Sequence, residues 1–371
     1  MARHHIDKHV ISFTNKSISQ NRNVVYSITA IVLVLVAASY GSFSVNSKAD
    51  SPDPDTVFYR IRTSIKNMEQ AFWQESLVFL RQKRKKLSKV KCYIVVDETY
   101  DSYTGRLIVK EKKGVYLSNK EKEALKYIHK YKPKRGDTGS YKYLVFALVY
   151  GNKRRVLKVK ALKRKEKYKS YIIKTLINIQ QAVRYECVLF DRGFYDGSFV
   201  ENLKKNNIPF ILRARISKAM KKVYGFYSIW KCYNDFQIGQ DGMGNLVLGS
   251  EYTKGKRMKW AFITNLVAND WYDIRKIYSK RWNIENIFKA TDGIQLSAQT
   301  NNPTLRMFCV CLSFLIYNAW QVKNKKNRMT LGDFVMKLFE MIFEFAVKKW
   351  SRLRDKLRIN IPLWNRIRSS L

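Results

Sequence analysis

Lys91-Cys-Tyr-Ile-Val-Val-Asp97 is the stretch on which the fold turns. Its five apolar residues form an unbroken run between two charges, too short for a helix, which is the pattern of a strand buried on both faces. It ends in a carboxylate. The pattern returns at Cys187-Val-Leu-Phe-Asp191, again an apolar strand closed by an aspartate. Around these two, residues 106–110, 141–150 and 208–213 read as further strands, and residues 170–184 and 197–206 as helices. The order β-β-β-α-β-α-β, with sequential strands first and crossovers afterwards, predicts an α/β fold built on a mixed sheet covered by helices.

Downstream the texture changes. Residues 215–268 are rich in Tyr and Trp, with Gly239, Gly242, Gly244 and Gly249 reading as hairpin turns, because no G-x-G-x-x-G pattern leads into a helix. They predict a β-rich insertion. Helical spacing resumes from Asp270. Residues 304–320 are apolar on nearly every side, as in a core helix, and Thr330 with Asp333 forms a capping-box variant that opens a last helix.

Upstream, Ser51-Pro-Asp-Pro-Asp55 is a turn that leads into a helix. Val57, Ile61, Ile65, Met68, Phe72, Leu77 and Leu80 then recur at helical spacing. Residues 24–45 are uncharged, but Ser27, Thr29, Ser39, Gly41, Ser42 and Ser44 dilute the run. Its dense apolar part covers only about two thirds of a membrane span, so it reads as a buried helix. Three parts are expected. Residues 1–90 form a small helical domain whose outline permits a DNA-binding helix-turn-helix, 91–325 an α/β domain with the insertion at 215–268, and 326–371 a basic helical segment.

The chain carries 71 Lys and Arg against 29 Asp and Glu, a formal net charge of +42 in 371 residues. At 46% hydrophobic residues it has material for a full core, and its 16 Gly and 6 Pro exclude collagen-like and low-complexity classes. A folded chain with this imbalance takes a polyanionic partner, nucleic acid first and an anionic membrane surface second. Cations are densest at residues 81–91, along the tail at 348–368, and at 153–169, where Arg154, Arg155, Lys163 and Arg164 are candidate DNA contacts. Five scattered cysteines without a C-x-x-C pair suit neither a disulfide framework nor a zinc site, and point to a reducing cytoplasm. His129 stands alone and is given no catalytic part.

In so basic a chain the positions of the acids are informative. Asp97 and Asp191 stand at the carboxyl ends of strands, where α/β sheets bind ligands. Asp196 is the better cap for the helix that follows, which leaves Asp191 free. In Tyr278-Ser-Lys-Arg281-Trp-Asn-Ile-Glu285-Asn-Ile-Phe-Lys289, helical spacing puts Tyr278, Arg281, Glu285 and Lys289 on one face, with Ile277, Ile284 and Phe288 as a separate apolar stripe. Alone, Glu285 would read as a surface ion pair with Arg281 or Lys289. Together, three acids on two strands and a helix are the minimum for metal-assisted phosphodiester attack, in which two magnesium ions activate a hydroxyl and neutralise developing charge.

Asp97, the Asp191-Arg-Gly-Phe194 strand end and the Tyr278-x2-Arg281-x3-Glu285 helix, evenly spaced in that order, resemble the DDE-type transposases of bacterial and archaeal insertion sequences. The resemblance covers roughly residues 91–320. It implies an RNase H-like fold with a β insertion between the second Asp and the Glu, cleavage at transposon ends, and strand transfer into target DNA. It implies that Asp97, Asp191 and Glu285 hold two Mg²⁺ or Mn²⁺ ions, and that Tyr278 and Arg281 orient the Glu or hold DNA phosphate. Its partners would be the DNA of element ends and target and a second protomer once two ends are paired. Its setting would be the cytoplasm, on the nucleoid, without a membrane. One departure stands out: the family pattern continues with a Lys seven residues after the Glu, where this chain has Asp292, and Lys289 is the candidate substitute. Three other readings remain: an RNase H-like nuclease without strand transfer, a non-catalytic basic DNA-binding protein, and a membrane-anchored protein using residues 24–45. Trp230, Trp260 and Trp271 are read as core aromatics before stacking platforms for unpaired bases.

Overall fold

The computed structural model describes residues 64–338 except 218–219, 221–229, 240, 254, 268–269, 295–299 and 325–328. The readings for residues 24–45, for the Ser51–Asp55 turn and for the cations of 348–368 lie outside the described residues. The chain opens with helix α1 (Ile65–Leu87), whose N-cap Ser64 accepts from the Asn67 amide and whose last turn carries Arg84, Lys85 and Lys86, as the helix dipole favours. Strand β1 (Cys92–Tyr103), two short helices, α2 (Leu107–Lys112) and α3 (Asn119–Leu125), and strands β2 (Ile128–His129), β3 (Gly139–Tyr150) and β4 (Lys153–Leu162) follow. Next come α4 (Lys169–Ala182), β5 (Cys187–Phe190), α5 (Gly197–Lys205) and β6 (Phe210–Arg213). The insertion supplies β7 (Trp230–Ile238), β8 (Gly242–Thr253) and β9 (Lys256–Thr264), before α6 (Trp271–Tyr278), α7 (Trp282–Asp292) and α8 (Pro303–Lys323).

The nine strands among the described residues make one sheet, in the order β2-β3-β1-β5-β6-β9-β8-β7, with β4 also on β3. β1 runs antiparallel to β3 over its whole length and parallel to β5, and β5 runs parallel to β6. This is the expected mixed sheet, an antiparallel meander followed by parallel crossovers. One expected strand changes identity, and one unexpected strand takes its place. Residues 106–110 are helix α2, because Leu107 and Ile108 are buried side by side and Val109 is exposed, which an alternating strand does not allow. The third meander strand is β4, which its cations concealed. Val156, Val159 and Ala161 are buried there, while Lys158 lies over the rings of Trp73 and Tyr171 and Lys160 over Tyr171.

Alternation along the strands separates two cores. Cys92, Ile94 and Val96 join Ile172, Leu176, Phe199 and Leu203 beneath α4 and α5. Val95, Val145 and Leu189 face the other way, toward Trp271, Ile284, Ile287, Phe308 and Ile316 of α6, α7 and α8. α1 sends Met68 and Phe72 into this second core and Phe79 and Leu80 into the first. A further helix at 331–338 begins with the reciprocal Thr330–Asp333 cap and adds Phe334, Val335 and Leu338 to the second core. The packing therefore runs across both expected boundaries, at 90 and at 326. α8 is long and apolar enough to cross a membrane by length and composition, yet most of it is buried inside the fold.

The insertion continues the sheet, since β9 pairs antiparallel with β6. Its turns use Gly239 (φ +63°) and Gly255 (φ +74°). Gly244 and Gly249, expected at turns, lie inside β8. A Cβ on Gly249 would stand 2.3 Å from the Trp271 ring, so the glycine is there for close packing. Trp260 and Trp271 are buried, as a core role requires. Beyond β3 the sheet ends at β4, where side chains take the place of a neighbouring strand. Asn318 accepts from the Val156 amide and donates to its carbonyl, each at 2.9 Å, and Glu69 accepts from the Ala161 amide at 3.0 Å.

Candidate active site

Register decides which residues meet. Val96 pairs with Phe190, and Phe190 with Leu212, so the next residues, Asp97, Asp191 and Arg213, stand level on three neighbouring parallel strands. Asp191 follows the end of β5 as expected, but β1 does not end at Asp97: its antiparallel pairing with β3 carries it on to Tyr103. Val95, Leu189 and Ile211 all face the α6–α8 core, and the residues two positions on project to the same side. Asp191 is left free as expected: its side chain makes no cap hydrogen bond, whereas Asp196 caps α5 by accepting from the Phe199 amide at 2.9 Å.

The third acid arrives from the facing helices. Asp270 caps α6 by accepting from the Tyr272 amide. The helix expected to run unbroken from Tyr278 to Lys289 changes pitch, with Tyr278 ending α6, Ser279–Arg281 forming a 3₁₀ turn, and Glu285 lying in the first turn of α7. The motif still converges. Arg281 Nη2 donates to Glu285 Oε1 at 2.5 Å, its Nη1 donates to Asp97 Oδ2 at 3.3 Å, and the Tyr278 hydroxyl donates to Asp191 Oδ1 at 3.5 Å. Ile284 is fully buried, with Ile277 and Phe288 packed against the same core, so the apolar stripe docks this helix on the sheet.

Electrostatics follow from burial. Burial pushes the Asp97 carboxyl up to about 7, with the Asp191 and Glu98 charges adding to it, while the Glu98 amide at 2.8 Å and the Arg281 charge oppose the shift. Burial also raises the Tyr278 hydroxyl, which stays a neutral donor. Glu98 points to the opposite side of the sheet, where it pairs with Lys142 at 2.6 Å and accepts from the hydroxyls of Tyr100 and Tyr168. It is therefore no fourth member of the group.

The remaining site candidates divide. Lys289 is exposed one turn beyond Glu285, and no ion pair among the described residues joins it to the three acids. Lys163 is exposed just past the end of β4, beside the Tyr127 ring, and Arg164 next to it pairs with Glu111 at 3.0 Å. Leu162 is level, through Lys142, with Tyr100, so both lie toward the end of the sheet that holds the acids. Arg154 and Arg155 are level instead with Tyr93 and Ile94, toward the other end. Arg155 corrects the expectation of a DNA contact: it is buried, with its guanidinium over the Phe79 ring at 3.9 Å.

Two residues were passed over. Arg213 is stacked on Trp260 at 4.6 Å, beside Asp191 on the side away from Asp97, and no carboxylate among the described residues pairs with it. Trp282, next to Arg281, is 51% exposed at the rim of the site. An arginine at a strand end is one cation among 71 in the sequence, and only register singles it out.

The donor set suits a hard divalent ion, being all carboxylate oxygen. A positive group already stands between two of the acids, the Arg281 guanidinium, which marks a place where cationic charge is wanted. Asp97, Asp191 and Glu285 are thus the residues that would hold the ions. As they stand, no three acids among the described residues are grouped closely enough to share one.

Residues 89–295 match the family described as the transposase DDE domain. Among solved structures the chain is similar to the piggyBac transposase in a cryo-EM synaptic complex with hairpin DNA. The TM-score is 0.54 at 12% sequence identity, over 96% of this chain and 84% of that one. At that identity the likeness speaks for the fold, which is RNase H-like. No curated protein matches the chain. The family match spans more than half of the residues: the chain belongs to the transposase DDE domain family.

Proposed function

We propose that this transposase cleaves the ends of a mobile DNA element and joins them to target DNA, with Asp97, Asp191 and Glu285 as its metal-holding acids. The observation that carries the reading is the level placement of Asp97, within β1, and Asp191, just past the end of β5, facing a glutamate delivered by a separate helix. Bound divalent ions, Mg²⁺ or Mn²⁺ and two per site, would be held by these oxygens and would supply an activated hydroxyl and charge neutralisation at the leaving oxygen. The rest falls to the chain. Tyr278 holds Asp191 by a hydroxyl that stays protonated, Arg281 positions Asp97 and Glu285, and the docked α7 fixes the third acid against the sheet. Lys289, one turn beyond Glu285, and Lys163 and Arg164, toward the same end of the sheet, are candidate phosphate contacts, and Arg213 joins them on the side of the insertion. The neighbour's synaptic DNA complex supports DNA as the partner. We assign two protomers to a paired-end complex and its work to the cytoplasm, on the nucleoid.

Asp97→Asn and Glu285→Gln are expected to keep DNA affinity within about threefold while Mg²⁺-dependent cleavage falls by on the order of a thousandfold or more. Cleavage of labelled element-end duplexes and a filter-binding assay measure the two quantities, and undiminished cutting by either variant would overturn the site. A target plasmid in the same reaction separates a transposase, which joins the labelled end to it, from a nuclease, which leaves the end free.

A further inference from the structure

Two of the three acids already share one cation of the chain's own. The Arg281 side chain is 8% exposed, Asp97 19% and Glu285 29%. Its fork is spread over two carboxylates from different elements, with one contact to each, and its buried Nε–H has no partner. A planar guanidinium donates best as a parallel pair to one planar or tetrahedral oxyanion, and here it does not. Arg275 also leaves its Nε–H without a partner but gives its one contact to a single carboxylate, Glu251, whereas Arg306 is held by Asp101 with the Thr300 and Ser102 carbonyls. Arg281 is thus bound where two acids need a cation and left short of donor partners.

A divalent ion entering between Asp97 and Glu285 has to displace that guanidinium. A phosphodiester brought to the acids offers it a parallel pair of oxygens and a partner for Nε. We propose that Arg281 is an internal counter-ion for Asp97 and Glu285, and that DNA phosphate at the site draws it away, so that divalent ions are taken up tightly only with DNA in place. The proposal rests on the transposase reading and adds the regulation of its metal site. Once the guanidinium leaves, the carboxylates repel one another and their demand for a cation rises. The coupling is reciprocal, so ions tighten DNA by the factor by which DNA tightens ions.

Titration of the full chain with Mn²⁺, read by loss of the free-ion electron paramagnetic resonance signal with and without a short DNA duplex, tests this without any cleavage. The unaltered chain is expected to bind Mn²⁺ at least about fivefold more tightly with the duplex, the lower end of ordinary coupling. Arg281→Gln is expected to show a similar gain without DNA and little further gain with it. Arg281→Lys keeps a charge that reaches only one carboxylate and should fall between; it decides the matter if a melting curve finds the Gln variant unfolded. An Arg281→Gln chain that binds Mn²⁺ no more tightly than the unaltered one, or an unaltered chain indifferent to the duplex, overturns the proposal. If no chain takes up Mn²⁺ under either condition, the metal role of the acids fails, and this inference with it.

Discussion

Single side chains in this protein carry charges that burial makes costly. Glu69 on α1 accepts from the Ala161 amide, and burial raises its carboxyl to about 7, against the opposing charges of Lys160 and Lys158. The folded-state value lies above that of the unfolded chain. Below the unfolded value both states are protonated; as pH rises toward 7 the unfolded chain releases its proton first, and stability falls until both are ionised. Glu69→Gln keeps the accepting oxygen and loses the proton. Relative to it, the unaltered chain should lose about 3 kcal/mol of unfolding free energy between about pH 4.5 and pH 8, measured by urea denaturation. A pH-independent difference would show that Glu69 is better solvated than its packing indicates.

At the scale of elements, the edge of β4 is closed by side chains. Asn318 is 1% exposed and satisfies both polar groups of Val156. Asn318→Leu fits a similar volume but leaves a buried amide and carbonyl without partners, a cost of about 2–4 kcal/mol, which a lowered urea midpoint at unchanged slope would register. This strand also shows what the sequence conceals. β1, β5 and β6 are readable because burial on both faces leaves an unbroken apolar run, and the acids Asp97 and Asp191 are readable because they end such runs. β4 is half cation, and its lysine stems are buried against Trp73 and Tyr171, so the same burial is written in residues that look solvated. Residues 106–110 mislead in the other direction, with an apolar triplet whose two buried members are adjacent. The convergence of Tyr278, Arg281 and Glu285 was readable from helical spacing even though a 3₁₀ turn interrupts the helix, because the turn keeps Arg281 and Glu285 within one contact. Arg213 needed strand register, which no local pattern supplies.

For the whole molecule, the excess of cations over acids governs how it meets DNA. With a net charge of +42 and exposed cations such as Lys163 and Lys289, binding should be dominated by counterion release. Affinity for a labelled duplex, followed by fluorescence anisotropy, is expected to fall by about a thousandfold or more between roughly 50 and 200 mM salt. A shallow dependence would mean that few of these cations reach phosphate.

The Arg281–Asp97 contact spans 184 residues of chain. During synthesis the strands that carry both aspartates leave the ribosome long before the helix that carries Glu285, and α8, which covers the same side of the sheet, comes later still. The nascent chain therefore holds both aspartates well before Glu285 exists. A chain interrupted before that helix would carry both aspartates but lack Glu285 and the helices that complete the core on one side of the sheet.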